Sequence, residues 1–162
     1  LGTTSFKRGY YFGAPIRAEG RIAGVVVIKI DLDAIQAVIN QGAIVLLSPL
    51  GFSPTGEAFN LAMEDLATSA AIALRAEKLI FLTQDRIIKN ADGDTITELA
   101  RVEADRLLTD PTLDTDTQAF LTHASRAVKR GVARAHLLPY TLDGSVLLEI
   151  FTDGGVGTEV TP

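Results

Sequence analysis

The sequence contains no cysteine, which removes disulfides, thiolate metal sites and thiol nucleophiles from consideration. Tryptophan is absent, methionine occurs once, and imidazole chemistry rests on two histidines, His123 and His136. Basic residues are the minority charge: 15 Lys and Arg stand against 20 Asp and Glu, a formal net charge of -5. A nucleic-acid surface needs a clustered basic stripe. The densest basic group, Arg126, Lys129, Arg130 and Arg134, instead has the spacing of a solvated helix face. No apolar run approaches the about 18–20 residues of a membrane span; the longest, Gly24–Ile28 and Ala43–Leu47, are strand-sized. Nucleic acid and membrane are therefore not expected as partners. The chain opens on Leu1 with no initiator methionine and no leader pattern, which reads as a processed or excised piece.

What is present is an ordinary globular composition, with 47% hydrophobic and 22% charged residues in 162 positions. That is enough for a single domain spanning 1–162. Two strand-like runs, Tyr10–Ala18 and Arg21–Ile30, flank Glu19-Gly20 and predict a β-hairpin. Asp31 is placed to cap a helix over Leu32–Asn40, which Gly42 would end. The continuous apolar run Ala43–Ser48 predicts a strand buried on both faces, beside or near Val25–Ile30 in one continuous sheet. Pro49–Glu57 is a loop or tight hairpin. Asn60–Ala76, rich in Ala and Leu, predicts a helix with Asn60 as a candidate N-cap and Glu64 in its first turn. Lys78–Thr83 predicts a second buried strand, and Arg86–Glu98 a small hairpin. Helices over Glu98–Leu108 and Asp116–Lys129 follow, the second stopped by Gly131. Arg134–Leu138 predicts a third strand, Ser145–Phe151 is either strand or helix, and Thr158–Val160 a closing edge strand. Strands alternating with helices give an α/β class in three layers, a mainly parallel sheet with helices on both faces. Ligands in such sheets sit at the carboxyl ends of strands, here the loops after Leu47, Thr83 and Leu138.

Three stretches carry a resemblance to a known family: IVLLSPLGFSPTGEAFNL (Ile44–Leu61), EDLATSAAIALRAEKLIFLT (Glu64–Thr83) with DGDTITEL (Asp92–Leu99), and GVARAHLLPYTLDGSVLLEIFTDGGVGTEV (Gly131–Val160). Their order and spacing resemble the arginine-sensing amino-acid kinase-like domain of N-acetylglutamate synthases and acetylglutamate kinases. The resemblance implies that residues 37–162 are the C-terminal lobe of that fold, in a cytoplasmic protein of arginine biosynthesis, with a homo-oligomer as an expected assembly. The opening GTTSFKRGYYFGAPIRAEGRIAGVVVIKIDLDAI resembles the end of a bacterial Cache-type sensor domain. It marks residues 1–36 as a Cache-like hairpin segment and the whole as a possible chimera.

Aligned on Gly131-Val132, the position of the kinase lysine falls on Phe120, which cannot neutralise transferring phosphate charge. The resemblance carries Asn60 and Glu64 over as a vestigial nucleotide side, and no residue as catalytic. The separate acetyltransferase segment of the synthases is not found here, so an enzyme activity is not expected of this chain. For arginine the resemblance maps the effector contacts to His136, Glu149 and the turn Gly154, Gly155, Val156, Gly157. Glu149 has suitable chemistry, a carboxylate able to accept from a cationic group, inside an apolar run where an unpaired charge is costly. No cofactor and no metal are expected: Asp92, Asp94, Asp110, Asp114 and Asp116 lack calcium-loop spacing and suit turns and caps. His123 suits a structural role, as do Tyr10 and Tyr11. The readings are a non-catalytic, arginine-regulated synthase segment, a sensory small-molecule-binding module, or a recombined or designed domain without selected function.

Overall fold

Asp114 and Gly131 bracket the longest helix among the described residues, and both work by satisfying backbone groups the helix leaves open. The Asp114 carboxylate accepts from the Thr117 N–H at 3.0 Å, and Gly131, at φ 99°, takes the left-handed turn that closes the far end. The computed structural model describes all residues except 1–8, 19–20, 53–55, 85–87, 91 and 153–154, and only the backbone for 9–18 and 21–30. The chain divides into two compact units, Leu1–Ser69 and Ala70–Pro162.

In the first unit, strands β1 (Gly9–Ala18) and β2 (Arg21–Asp31) form the expected antiparallel hairpin, with Gly9 opposite Asp31, Ala18 opposite Arg21 and a register shift between Ile16 and Arg17. Its Glu19-Gly20 link lies outside the described residues. Helix α1 (Leu32–Ile39) starts where Asp31 accepts from the Ala34 N–H at 3.1 Å. Strands β3 (Leu50–Phe52) and β4 (Ala58–Asn60) pair antiparallel. The run Ala43–Ser48, expected as a buried strand, is not a strand, and Ile44 and Leu46 are 90% and 91% exposed. Apolar character sets propensity, but a strand also needs a neighbour for its backbone. β2 pairs with β1, and the described strands form three sheets rather than the single continuous one expected. Asn60 is not an N-cap: it closes β4 opposite Leu50, and helix α2 (Met63–Leu74) begins three residues on, with Glu64 and Asp65 in its first turn.

The second unit is built on a four-stranded sheet in the order β5 (Lys78–Thr83), β7 (Arg134–Pro139), β8 (Thr158–Thr161), β6 (Glu98–Ala100). β5–β7 and β6–β8 pair parallel and β7–β8 antiparallel, so the sheet is mixed and mostly parallel. β8 is thus interior rather than the expected edge strand. The helix expected over Glu98–Leu108 splits, because Glu98–Ala100 is drawn into pairing with β8; helix α3 (Arg101–Leu107) follows, with the Glu103 carboxylate accepting from the Ala100 N–H at 3.1 Å. The small hairpin before it contracts to a bridge between Lys89 and Thr95, closed by Asn90 Oδ1 accepting from the Asp92 and Asp94 amides. Helix α4 (Thr115–Lys129) packs on β7 and β8 and buries Leu121, Ala124 and Val128. Ser145–Phe151 resolves as helix α5, entered through Gly144 at φ 74° and packed on β7. Ala135, Leu137, Leu138 and Val160 are almost fully buried and form the centre of the core.

Candidate functional site

Side chains alternate across a strand, so His136, third residue of β7, points to the face opposite Ala135 and Leu137. It lies inside the strand rather than at its end, and is 4% exposed. α5 follows β7 and packs back along it, which carries Glu149 to the imidazole. Glu149 Oε1 lies 2.9 Å from His136 Nδ1. Oε2 accepts from the Val156 N–H at 2.7 Å and the Gly157 N–H at 3.3 Å. One carboxylate therefore ties helix α5, strand β7 and the 155–157 turn together.

The turn is shaped for this approach. Gly155 has φ 52°, and a Cβ there would stand 2.9 Å from Glu149 Oε2. At Gly157 a Cβ would run into the Leu137 carbonyl oxygen. Gly154, the remaining glycine of the expected set, lies outside the described residues. Burial opposes ionisation of Glu149, but the Val156 amide, the His136 ring and the Gly157 amide outweigh it and hold the carboxyl below its ordinary value. With Nδ1 engaged by Glu149, His136 Nε2 is buried without a partner. His136 and Glu149 are among the residues that line a largely polar cavity of about 370 Å³.

The other walls of that cavity were not singled out by sequence reasoning. They include Lys78, Arg134, Glu159 and Glu98. Lys78 is the Cα partner of Arg134, Glu159 of His136, and Glu98 of Glu159. Read across the strand order β5-β7-β8-β6, the charges run plus, plus, minus, minus. At the centre Arg134 and Glu159 form an ion pair at 3.1 Å. The only available signal was positional: each charge stands first or second in its strand. The cavity opens beside the amino ends of β5 and β7, not at the carboxyl-end loops expected to hold ligands.

The other sequence candidates fall elsewhere. Asn60 and Glu64 belong to the first unit. Phe120, where a kinase lysine would align, packs its ring on Phe81 of β5 with centroids 5.6 Å apart, an ordinary core contact. Asp110 accepts from the Thr112 N–H and hydroxyl at 2.8 and 2.7 Å; the hydroxyl, then the amide, hold its carboxyl below the usual range. It serves a turn, and Asp114 serves a helix cap, as expected of the acidic residues. His123 is half-buried on α4.

The chain matches the profile of the amino acid kinase family over residues 15–139. It is 51% identical over 133 residues to an amino-acid acetyltransferase of Ralstonia nicotianae, covering 82% of this chain and 30% of the relative. It is 43% identical to an amino-acid acetyltransferase of Escherichia coli, covering 82% of this chain and 31% of the relative. It thus spans about 30% of the length of such relatives. A crystal structure of N-acetylglutamate synthase from Neisseria gonorrhoeae, complexed with coenzyme A and L-arginine, aligns with a TM-score of 0.81 at 32% identity, covering 98% of this chain and 40% of that one. A carbamate kinase from Giardia lamblia bound to AMP-PNP aligns with a TM-score of 0.64 at 16% identity, covering 93% of this chain and 52% of that one, a likeness of fold.

Proposed function

This chain belongs to the amino acid kinase family, and on that premise we propose that it is the arginine-responsive segment of an N-acetylglutamate synthase, performing neither phosphoryl nor acetyl transfer itself. The observation that carries the proposal is the Glu149 clamp, which holds His136 and the 155–157 turn around a polar cavity. A polar cavity that this clamp shapes, with the Glu98 and Glu159 carboxylates in its wall, suits a small cationic amino acid. A neighbour of the same fold carries L-arginine in its crystal structure. Cytoplasmic location and homo-oligomeric assembly come with this proposal, carried over from the synthase resemblance. Phe120 in place of a charge-stabilising lysine supports the absence of kinase chemistry.

A Cache-like origin for residues 1–36, and with it a chimeric chain or a sensory role, is a second reading supported by sequence resemblance alone. Against it, the amino acid kinase match begins at residue 15, inside that segment.

The test is a melting curve with and without arginine. A ligand that binds only the folded state stabilises it by about 2.7 kcal/mol at a hundredfold excess over its dissociation constant, so Tm should rise with arginine and stay unmoved by succinate. Glu149→Gln should fold and lose the response. A wild-type Tm indifferent to millimolar arginine would remove the proposal. Magnesium-ATP should give no turnover above blank.

A further inference from the structure

The four-stranded sheet has two edges, and they are finished differently. At β6 the edge is three residues long, and the Ala100 N–H on it is taken by the Glu103 carboxylate at 3.1 Å. A short edge stopped by a charge is protected from further pairing. At β5 the edge is six residues long, KLIFLT, and among the described strands β5 pairs with β7 alone. It has no proline, no glycine and no break in register, and its one charge is Lys78 at the first position. The Glu77 carbonyl accepts from the Arg134 N–H and the Thr83 carbonyl from the Tyr140 N–H, so the odd-numbered residues turn their backbone groups to β7. Lys78, Ile80 and Leu82 turn theirs outward. Leu79, Phe81 and Thr83 are buried on one face of the strand, while Leu82 on the other is 51% exposed.

We propose that this edge pairs antiparallel with the same edge of a second copy, across a two-fold axis at Ile80. The register follows from the backbone and the charge. Opposite residues of an antiparallel pair share a face, and outward groups must meet outward groups, which sets even-numbered residues against even-numbered ones. Like charges directly opposite repel, which excludes Lys78 against the partner's Lys78. Ile80 opposite the partner's Ile80 is the alignment that pairs all three outward residues within the strand. Lys78 then faces the partner's Leu82 and lays its aliphatic stem along that side chain, with the two ammonium groups carried to opposite ends. Leu79 faces the partner's Phe81 on the buried face. The interface is isologous, and the sheet continues through it as eight strands, four from each copy. It gives the homo-oligomer of the proposed function a surface, and rests on that part of the reading alone.

Light scattering after size exclusion, on the full chain over a range of concentrations, tests this. Wild type should be a dimer. Leu82→Lys sets two like-charge pairs across the axis and should weaken the dimer about tenfold or more. Adding Lys78→Glu makes both pairs opposite in charge and should restore it. The chain has no cysteine, so Ile80→Cys offers a short bismaleimide one thiol per copy. Two such residues, opposite in a hydrogen-bonded pair, have Cα atoms about 5.5 Å apart and should be bridged, while Leu147→Cys, on an exposed helix position, should not. A dimer indifferent to Leu82→Lys, or bridged at residue 147 and not at 80, would overturn this interface and leave the homo-oligomer standing. Weakening that Lys78→Glu does not reverse would overturn the register. A wild-type monomer at every concentration would overturn the interface and the homo-oligomer together, with the response to arginine still to be read separately from the melting curve.

Discussion

Glu149 commits both carboxylate oxygens to the protein, so its ionisation is part of the stability of the second unit. Replacing it by Gln keeps one acceptor and loses the charge, and should cost about 1–3 kcal/mol at neutral pH. The sign of the pH dependence follows from its depressed carboxyl. A group whose folded pKa lies below its ordinary value of 4.5 contributes its full stabilisation above that value, and loses it as pH falls through the lower folded pKa. Urea titrations of wild type and Glu149→Gln should therefore show a constant gap between pH 6 and pH 8 (about the plateau expected for such a group). The gap should close under increasingly acid conditions, and a persistent one would count against this role. At Gly157 the limit is space. A methyl group there meets the Leu137 carbonyl and the Leu138 side chain, so Gly157→Ala should cost about 1–3 kcal/mol or more through overpacking. An equilibrium unfolding curve matching wild type would show that the turn yields.

Elements whose signals are local were legible in the sequence. Lys78–Thr83 and Arg134–Pro139 were read from apolar runs, and Thr115–Lys129 from its periodicity and the Gly131 stop, within a residue or so of the structure. Elements decided by distant pairing were not. Glu98–Ala100 has helix-forming neighbours, and only β8, some 60 positions on, makes it a strand. Ala43–Ser48 has the composition of a strand and pairs with no strand among the described residues. At the site, His136 and Glu149 come from resemblance, while Arg134 has the spacing of a helix-face cluster, Glu98 opens an expected helix, and only the strand register brings both beside Lys78 and Glu159. Helix α2 shows a local conflict that composition hides. It ends through Arg75 at φ 51°, with the Ala76 N–H bonded to the Ala71 carbonyl at 2.9 Å. That is a closing turn in which glycine is preferred. Relief of left-handed strain exceeds the extra chain entropy of glycine, so Arg75→Gly should raise stability by about 0.5–1 kcal/mol. A lower denaturation midpoint would sink this account.

On the scale of the whole molecule, the first unit carries an unpaired apolar stretch with Ile44 and Leu46 almost fully exposed. Such a segment is a template for association. Ile44→Lys with Leu46→Glu should raise the concentration at which light scattering first appears without lowering Tm, and a clear loss of Tm would show that the stretch is packed in solution. The second unit has a different vulnerability, set by the order of its strands. β6 pairs with β8 and with no other strand of the sheet, and β8 also supplies the antiparallel neighbour of β7. During synthesis, β5, β6 and β7 leave the ribosome before the strand that joins β6 to them exists. Folding of this unit must therefore wait for residues 158–161, with Leu99, the partner of Val160, still uncovered and open to chaperones meanwhile. A nascent chain arrested before Thr158 should remain protease-sensitive throughout the region from β5 to α5, and one arrested far enough beyond residue 161 to clear the exit tunnel should become resistant in a single step.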